Sequence, residues 1–126
     1  MSKKKQRYAA AFTLVEIMIV VAIIGLLVVL ALPSFIKARK QSQGRRVLND
    51  ARQMDSAVDQ WAIEYNKKDG DAVDTVAAAT YLKTSWKTKD VLGHDFVLNP
   101  VGTGQVNISA TTKSALTGVG IDWSYY

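Results

Sequence analysis

The sequence predicts an α+β fold in which a long, protruding N-terminal α-helix packs on a small antiparallel β-sheet head. Three observations lead to this prediction. Residues 12–36 form an almost continuous apolar run, residues 37–67 show amphipathic helical periodicity, and residues 68–126 contain short strand-like runs separated by Gly, Pro and Asn. A basic segment, residues 1–11, precedes them. The chain is therefore divided into four segments, of which the last is the head.

The composition excludes several classes of site. The 126 residues include no cysteine and a single histidine, His94. A disulfide framework, a thiolate metal site and any site that needs two imidazoles are therefore excluded for this sequence. His94 lies beside Asp95, but no nucleophile elbow, metal-ligand cluster or phosphate-binding loop accompanies the pair. We therefore predict that the protein is not an enzyme.

The basic residues flank the apolar run on both sides. Residues 1–11 hold four Lys or Arg and no acid, and residues 37–52 hold six against one acid. From residue 53 to the end, six lysines face nine acids. Basic clusters at the two ends of an apolar segment are typical of contact with anionic lipid headgroups. The acidic balance of the remainder argues against a general nucleic-acid surface.

The apolar run is long enough to span a bilayer. With residues 12–15 and 35–36 included, it reaches the ~20 residues that a membrane helix needs. A secretory signal peptide has a shorter apolar region followed by small residues, whereas here the three alanines precede the run. Because Lys and Arg flank both ends, the charge rule alone leaves the orientation open. Gly25 and Pro33 interrupt the helical pattern, and membrane helices tolerate such breaks.

The amphipathic segment presents one face for burial. Its apolar positions are spaced alternately four and three residues apart, which is the spacing of one face of a helix. They are Val47, Ala51, Met54, Val58, Trp61 and Tyr65, with Leu48 and Ala62 at the edge. We interpret this stripe as core rather than as a ligand site. Gly44 is a weak point in the helix, by about 1 kcal/mol relative to alanine.

The head is predicted to contain one short helix and a small sheet. Asp69-Gly70 ends the long helix, and Asp74 caps a helix over residues 75–82. Residues 95–98 and 105–109 form a hairpin, and residues 121–125 supply a third strand, because a two-stranded hairpin alone is only marginally stable.

The stretch AFTLVEIMIVVAIIGLLVVLALP (residues 11–33) resembles the type IV pilin superfamily, which includes the pseudopilins of type II secretion. The resemblance consists of a basic leader, a small residue before Phe12, the segment Phe12-Thr13-Leu14-Val15-Glu16, a long apolar run and a proline. A later stretch, DVLGHDFVL, is similar to the turn before a strand in pseudopilins of the G type.

The resemblance implies how the chain is processed and where it resides. A prepilin peptidase cuts between Ala11 and Phe12, and the new amino group of Phe12 is N-methylated. The leader stays in the cytoplasm, so the subunit is a single-pass protein of the bacterial inner membrane with a periplasmic head. It contacts lipid before assembly and is then extracted into a filament in the periplasm or outside the cell. The family usually has glycine where this chain has Ala11.

Glu16 is the single acid of the apolar segment. A charge at the centre of a membrane helix costs about 2.5–3.5 kcal/mol on insertion scales, although near the end of the span it can reach the headgroups. Cleavage creates an amino group at Phe12, four residues away. We predict that Glu16 pairs with the Phe12 amine of a neighbouring subunit and so fixes the register of assembly. Gly25 and Pro33 lie in the same assembly segment.

The resemblance therefore implies a structural subunit of a type II secretion pseudopilus. Its partners would be further copies of itself, minor pseudopilins, prepilin peptidase and an inner-membrane assembly platform. The absence of cysteine favours this interpretation, because many major type IV pilins carry a disulfide loop. The alternative is a major or minor pilin of a type IV pilus that serves adhesion, motility or DNA uptake.

Two ligand hypotheses accompany these functions. G-type pseudopilins commonly bind calcium, and the acids available here are Asp90, Asp95 and Asp122. They form no dense oxygen-ligand motif, so we predict no resident cofactor and take solvated surface acids as the favoured interpretation. DNA binding would use basic and aromatic residues together. The candidates are Lys83, Lys87 and Lys89 with Tyr81 and Trp86.

Overall fold

The computed structural model describes residues 11–126, so the basic leader lies, except for its last residue, outside the described part of the chain. Helix α1 spans Leu14–Glu64, α2 spans Thr75–Ala79 and α3 spans Ala110–Ala115. Strand β1 spans Val97–Leu98 and β2 spans Val106–Asn107. The predicted α+β class, with a long N-terminal helix and a small antiparallel sheet, is confirmed.

The chain forms two compact units. The N-terminal unit ends at Ile36, and the C-terminal unit spans Lys37–Tyr126. Helix α1 contributes its first part to the N-terminal unit and its second part to the C-terminal unit.

A left-handed residue ends helix α1. Asn66 has φ 54°, and its N–H donates to Ile63 O at 3.3 Å while the Lys67 N–H donates to Ala62 O at 2.8 Å. These two bonds form a Schellman motif, which satisfies carbonyls that the helix end leaves free. The helix therefore stops at Glu64, three residues before the predicted end and ahead of the Asp69-Gly70 signal.

The core of the C-terminal unit forms along the predicted stripe of α1. Five of its positions are at most 3% exposed, and Ala62 is 7% exposed. The five are Val47, Ala51, Met54, Val58 and Trp61. The cluster is completed by five residues from the rest of the unit, which are Ala78, Val101, Val106, Ile108 and Tyr126. Tyr65 is 59% exposed, so its placement in the stripe was wrong, because the Schellman turn begins there.

Gly44 allows the last part of the chain to approach α1. A Cβ atom at this position would lie 2.0 Å from Cδ1 of Ile121 and 3.6 Å from Cδ1 of Leu116. Glycine therefore has a packing function here that outweighs its low helix propensity.

The sheet is smaller than predicted. Val97 pairs with Asn107 and Leu98 with Val106 in an antiparallel register. Residues 121–125 form no strand; instead Asp122 Oδ1 accepts the Ser124 N–H at 2.9 Å, and the Tyr126 N–H donates to Trp123 O at 3.1 Å. These turn bonds replace a third strand.

The two short helices each begin at a side-chain cap. Asp74 caps α2, as predicted, by accepting the N–H groups of Val76 and Ala77 at 3.0 and 3.1 Å. The helix is shorter than predicted, ending at Ala79. Helix α3 was not predicted. Its cap is Ser109, whose hydroxyl accepts the Thr112 N–H at 3.2 Å.

Candidate processing and assembly site

A capping box fixes the start of helix α1. The Thr13 N–H donates to Glu16 Oε2 at 3.0 Å, and the Glu16 N–H donates to Thr13 Oγ1 at 3.2 Å. This reciprocal pair satisfies two backbone donors that the helix end would otherwise leave free. The spacing Thr-x-x-Glu is a known sequence signal for a helix start. Thr13 is thus a site residue that the sequence reasoning missed although the signal was present.

The predicted cleavage bond lies immediately before this box. Ala11 and Phe12 are not helical, and both are exposed, Phe12 by 83%. Because the capping box starts the helix at Leu14, Ala11 and Phe12, which flank the predicted cleavage bond, remain non-helical. A peptidase that binds an extended segment would find this bond accessible.

The carboxylate of Glu16 points back toward the beginning of its own helix. A helix N-terminus carries a partial positive charge, so a negative side chain in the first turn is stabilised. The hydrogen bond to Thr13 gives Glu16 a partner within its own chain. In that conformation the carboxylate lies one residue from the position at which cleavage would create a new amino group.

An apolar surface follows the capping box. Every residue from Ala11 to Lys40 is exposed, although Ile, Val and Leu dominate this stretch up to Ile36. Helix α1 is the one helix in the described residues that is long and apolar enough to cross a membrane. It remains helical through Gly25 and Pro33, and a Cβ atom built at Gly25 meets nothing within 4 Å. The surface is therefore free for lipid or for other helices.

The three calcium candidates are engaged in separate contacts. Asp90 is buried, and its carboxylate accepts the N–H groups of Leu92 and His94 at 2.8 and 3.0 Å and the Thr112 hydroxyl. Asp95 pairs with Lys89 at 2.9 Å.

Hydrogen bonds from Ser124 lower the pKa of Asp122. Within residues 11–126, no three acidic or histidine side chains come together to hold a metal ion. The donor set of Asp90, Asp95 and Asp122 does not fit calcium.

The predicted nucleic-acid patch loses two of its three positive charges to ion pairs. Lys87 binds the buried Asp50 at 2.6 Å, and Lys89 binds Asp95. The Tyr81 hydroxyl donates to Glu64, and this bond raises the pKa of Tyr81 to about 12. These contacts engage three of the five candidate side chains, Tyr81, Lys87 and Lys89.

His94 belongs to a polar cluster that forms around the buried Asp90 and Thr112. Its Nδ1 lies 2.9 Å from the Thr112 hydroxyl, which donates to Asp90 and lies 2.9 Å from the Ser109 hydroxyl. Thr112 is fully buried, so it is not accessible to a substrate. The cluster joins α3 to the turn before β1 and has a structural function.

Comparison with known proteins gives a match at the N-terminus. Residues 6–32 match the family described as the prokaryotic N-terminal methylation motif. This range includes Ala11, Phe12, the capping box and most of the apolar surface. No solved structure matches the chain significantly.

Curated relatives extend the similarity into the C-terminal unit. The chain is similar to the type IV major fimbrial protein FimA of Dichelobacter nodosus, with 31% identity over 106 residues, which cover 84% of this chain and 58% of FimA. Two further FimA sequences of that organism match at 41% identity over 58 residues and 46% over 48. These two matches cover 36% and 31% of the respective FimA sequences. The chain thus spans between about a third and three fifths of these relatives. These matches do not support the more specific resemblance to a G-type pseudopilin.

Proposed function

We propose that this chain is a structural subunit of a type IV pilus, cleaved between Ala11 and Phe12, N-methylated at Phe12 and assembled into a helical filament. One observation carries the proposal: the exposed, non-helical residues at the predicted cut site directly precede a capped helix whose apolar side chains are all exposed as far as Ile36. Such an apolar surface has to be covered, by lipid before assembly and by other subunits in the filament. The methylation motif and the similarity to major fimbrial proteins support the same function.

Before assembly, the subunit resides in the inner membrane with its C-terminal unit in the periplasm. Residues 14–36 lie in the lipid, where a helix satisfies its own backbone hydrogen bonds. Glu16 lies near the end of the span, and its bond to the Thr13 N–H lowers the cost of keeping a charge there. Prepilin peptidase and an inner-membrane assembly platform are the partners at this stage.

On assembly, Glu16 pairs with the amino group of Phe12 in a neighbouring copy. Leaving a buried charge without its partner costs about 3–5 kcal/mol, so a copy in the wrong register is rejected. The pair therefore selects the register, and the surrounding apolar side chains, with Gly25 and Pro33 among them, supply the contact surface.

The experiment compares two substitutions at one position in a host that carries the processing and assembly machinery. Glu16→Ala removes both the charge and the cap, whereas Glu16→Gln removes the charge and keeps an acceptor for the Thr13 N–H. We expect both variants to be cleaved and inserted, and both to lose most of the filament yield. Electron microscopy and sheared-filament yield measure assembly, and the intact mass of the mature chain measures cleavage and methylation.

The comparison separates the two functions of the side chain. If Glu16→Gln assembles normally while Glu16→Ala does not, the carboxylate serves only as a helix cap and the pairing hypothesis is wrong. Thr13→Ser, which conserves the capping hydroxyl, is the matched control and should assemble like the wild type. An unprocessed Met1 at the N-terminus would contradict the proposed function as a whole.

A type II secretion pseudopilus remains the second candidate function. The absence of cysteine in these 126 residues favours it, because the chain cannot form the disulfide loop of many major pilins. Deletion of the gene distinguishes the two. Loss of surface filaments with normal protein secretion indicates a pilus subunit, and retention of secreted enzymes inside the cell indicates a pseudopilin.

A further inference from the structure

Asp55 is a buried acid on the core side of helix α1. The residue is 8% exposed, and its Oδ1 finds no hydrogen-bond partner within residues 11–126. It takes part in neither ion pair of this part of the chain. Burying a charged carboxylate that has no cationic partner is costly, and proteins commonly avoid the cost by neutralising the group. The processing and assembly site does not use this residue.

A second acid lies one helical turn away. Asp59 is exposed, and its Oδ1 accepts a hydrogen bond from the amide of the buried Gln105. Burial, followed by the negative charge of Asp59, raises the pKa of Asp55 above its ordinary value of 3.8. Hydrogen bonding from the Val106 backbone and the Gln105 side chain opposes the rise. The environment of Asp55 therefore favours its neutral form.

The groups that face Asp55 from the end of the chain do not supply a positive partner. Tyr126 is 8% exposed, and its pKa is raised first by burial and then by the charge of Asp55, with a smaller contribution from Tyr125. Arg52 lies on the same helix, and its charge lowers the pKa of Tyr126. It forms no ion pair with Asp55 within residues 11–126.

We propose that Asp55 is a proton-binding site through which pH controls the packing of α1 against β2 and Tyr126. The proton neutralises the carboxylate inside the core and keeps this contact closed. Loss of the proton places a charge there, one helical turn from the like charge of Asp59, and loosens the contact. This inference does not depend on the proposed pilus function.

The sign of the effect follows from linkage. Because the pKa of Asp55 is raised, its contribution to stability is fully present below 3.8 and is lost as the pH rises through the folded-state pKa. Asp122 acts in the opposite direction, since its pKa is lowered and its contribution is lost in acid. A substitution at Asp55 is therefore needed to isolate the effect.

The test is urea unfolding of the full chain in detergent micelles between pH 4 and pH 7, monitored by the fluorescence of the three tryptophans of the C-terminal unit. We expect Asp55→Asn to have a higher unfolding midpoint than the wild type at pH 7, because the variant carries no charge in the core. The difference should shrink steadily toward pH 4. Asp69→Asn, at an exposed acid on the same unit, is the matched control and should show the wild-type dependence on pH.

A direct titration keeps the inference testable if the variant folds poorly. The side-chain carboxyl carbons of the wild-type chain, labelled with 13C at aspartate, are followed by NMR over the same range. We expect one resonance to titrate above the ordinary aspartate value of 3.8 and to be absent from the spectrum of Asp55→Asn. Two results would overturn the inference: an Asp55 resonance that titrates at or below 3.8, or an Asp55→Asn midpoint that follows the wild type at every pH.

Discussion

At the scale of single residues, the Thr112 hydroxyl takes part in three side-chain hydrogen bonds inside the C-terminal unit. Its hydroxyl donates to the buried Asp90 carboxylate and lies within hydrogen-bond distance of both Ser109 and His94. The residue is fully buried, so water cannot replace these partners. A hydroxyl has one proton to donate and two lone pairs to accept, and the three contacts use all of them.

We predict that Thr112→Val destabilises the C-terminal unit by about 1–3 kcal/mol. The substitution keeps the shape of the side chain but leaves a buried carboxylate oxygen without its donor, and such a group carries its full desolvation cost. Urea unfolding of the full chain in micelles measures the effect. Thr111→Val, at the exposed neighbouring position of the same helix, is the control. Equal midpoints for the two variants would show that the cluster contributes nothing to stability.

At the scale of elements, the contact between α1 and the segment after α3 depends on Gly44. An alanine there would improve helix propensity by about 1 kcal/mol. Its Cβ, however, would lie 2.0 Å from Ile121 Cδ1. Either the Ile121 side chain or the backbone that carries it must move.

We predict that Gly44→Ala lowers the stability of the C-terminal unit and that Ile121→Val, which removes the Cδ1 atom, restores it. The two substitutions should therefore be non-additive in a double-mutant cycle, as is expected of residues in direct contact. Gly25→Ala is the control, because a Cβ atom meets nothing at that position. If Gly44→Ala raises the unfolding midpoint in both backgrounds, helix propensity outweighs the steric contact.

The same elements show what the sequence could and could not predict. The helical stripe was predictable because each residue's face follows from the 3.6-residue period alone. The end of the helix was missed, because Asn66 adopts a left-handed conformation that Asn takes only in some contexts. The prediction of a third strand was wrong, and helix α3 was not predicted. Both errors have a related cause, because the turn at Asp122 and the cap at Ser109 depend on local side-chain hydrogen bonds that compete with strand pairing.

The sequence predicts which residue types form the candidate site, but it does not predict how their side chains are hydrogen-bonded. The apolar run and the single acid define the segment, but only the structure shows that Glu16 binds the Thr13 N–H. The 3.6-residue period puts Asp50 and Asp55 on the face of the predicted stripe, but the pattern does not show what each carboxylate contacts. Their positions fall on the core side of α1, and burial there depends on contacts with residues far away in the sequence, such as Lys87 and Gln105.

At the scale of the whole molecule, two compact units should respond separately to denaturant. All three tryptophans, Trp61, Trp86 and Trp123, belong to the C-terminal unit, so their fluorescence reports on that unit alone. The helical residues up to Ile36 contribute to far-ultraviolet circular dichroism and contain no tryptophan. In a micelle these residues have no water to compete for their backbone hydrogen bonds.

We therefore predict that urea unfolds the C-terminal unit of the micelle-bound chain while residues 14–36 stay helical. The fluorescence transition should be complete while part of the helical ellipticity remains. Thr112→Val should move the fluorescence midpoint to lower urea without changing this remaining ellipticity, and Glu16→Gln should change neither quantity. Coincident transitions that end with no helical signal would instead mean that the two units unfold as one, so that a change in the C-terminal unit also reaches the apolar surface.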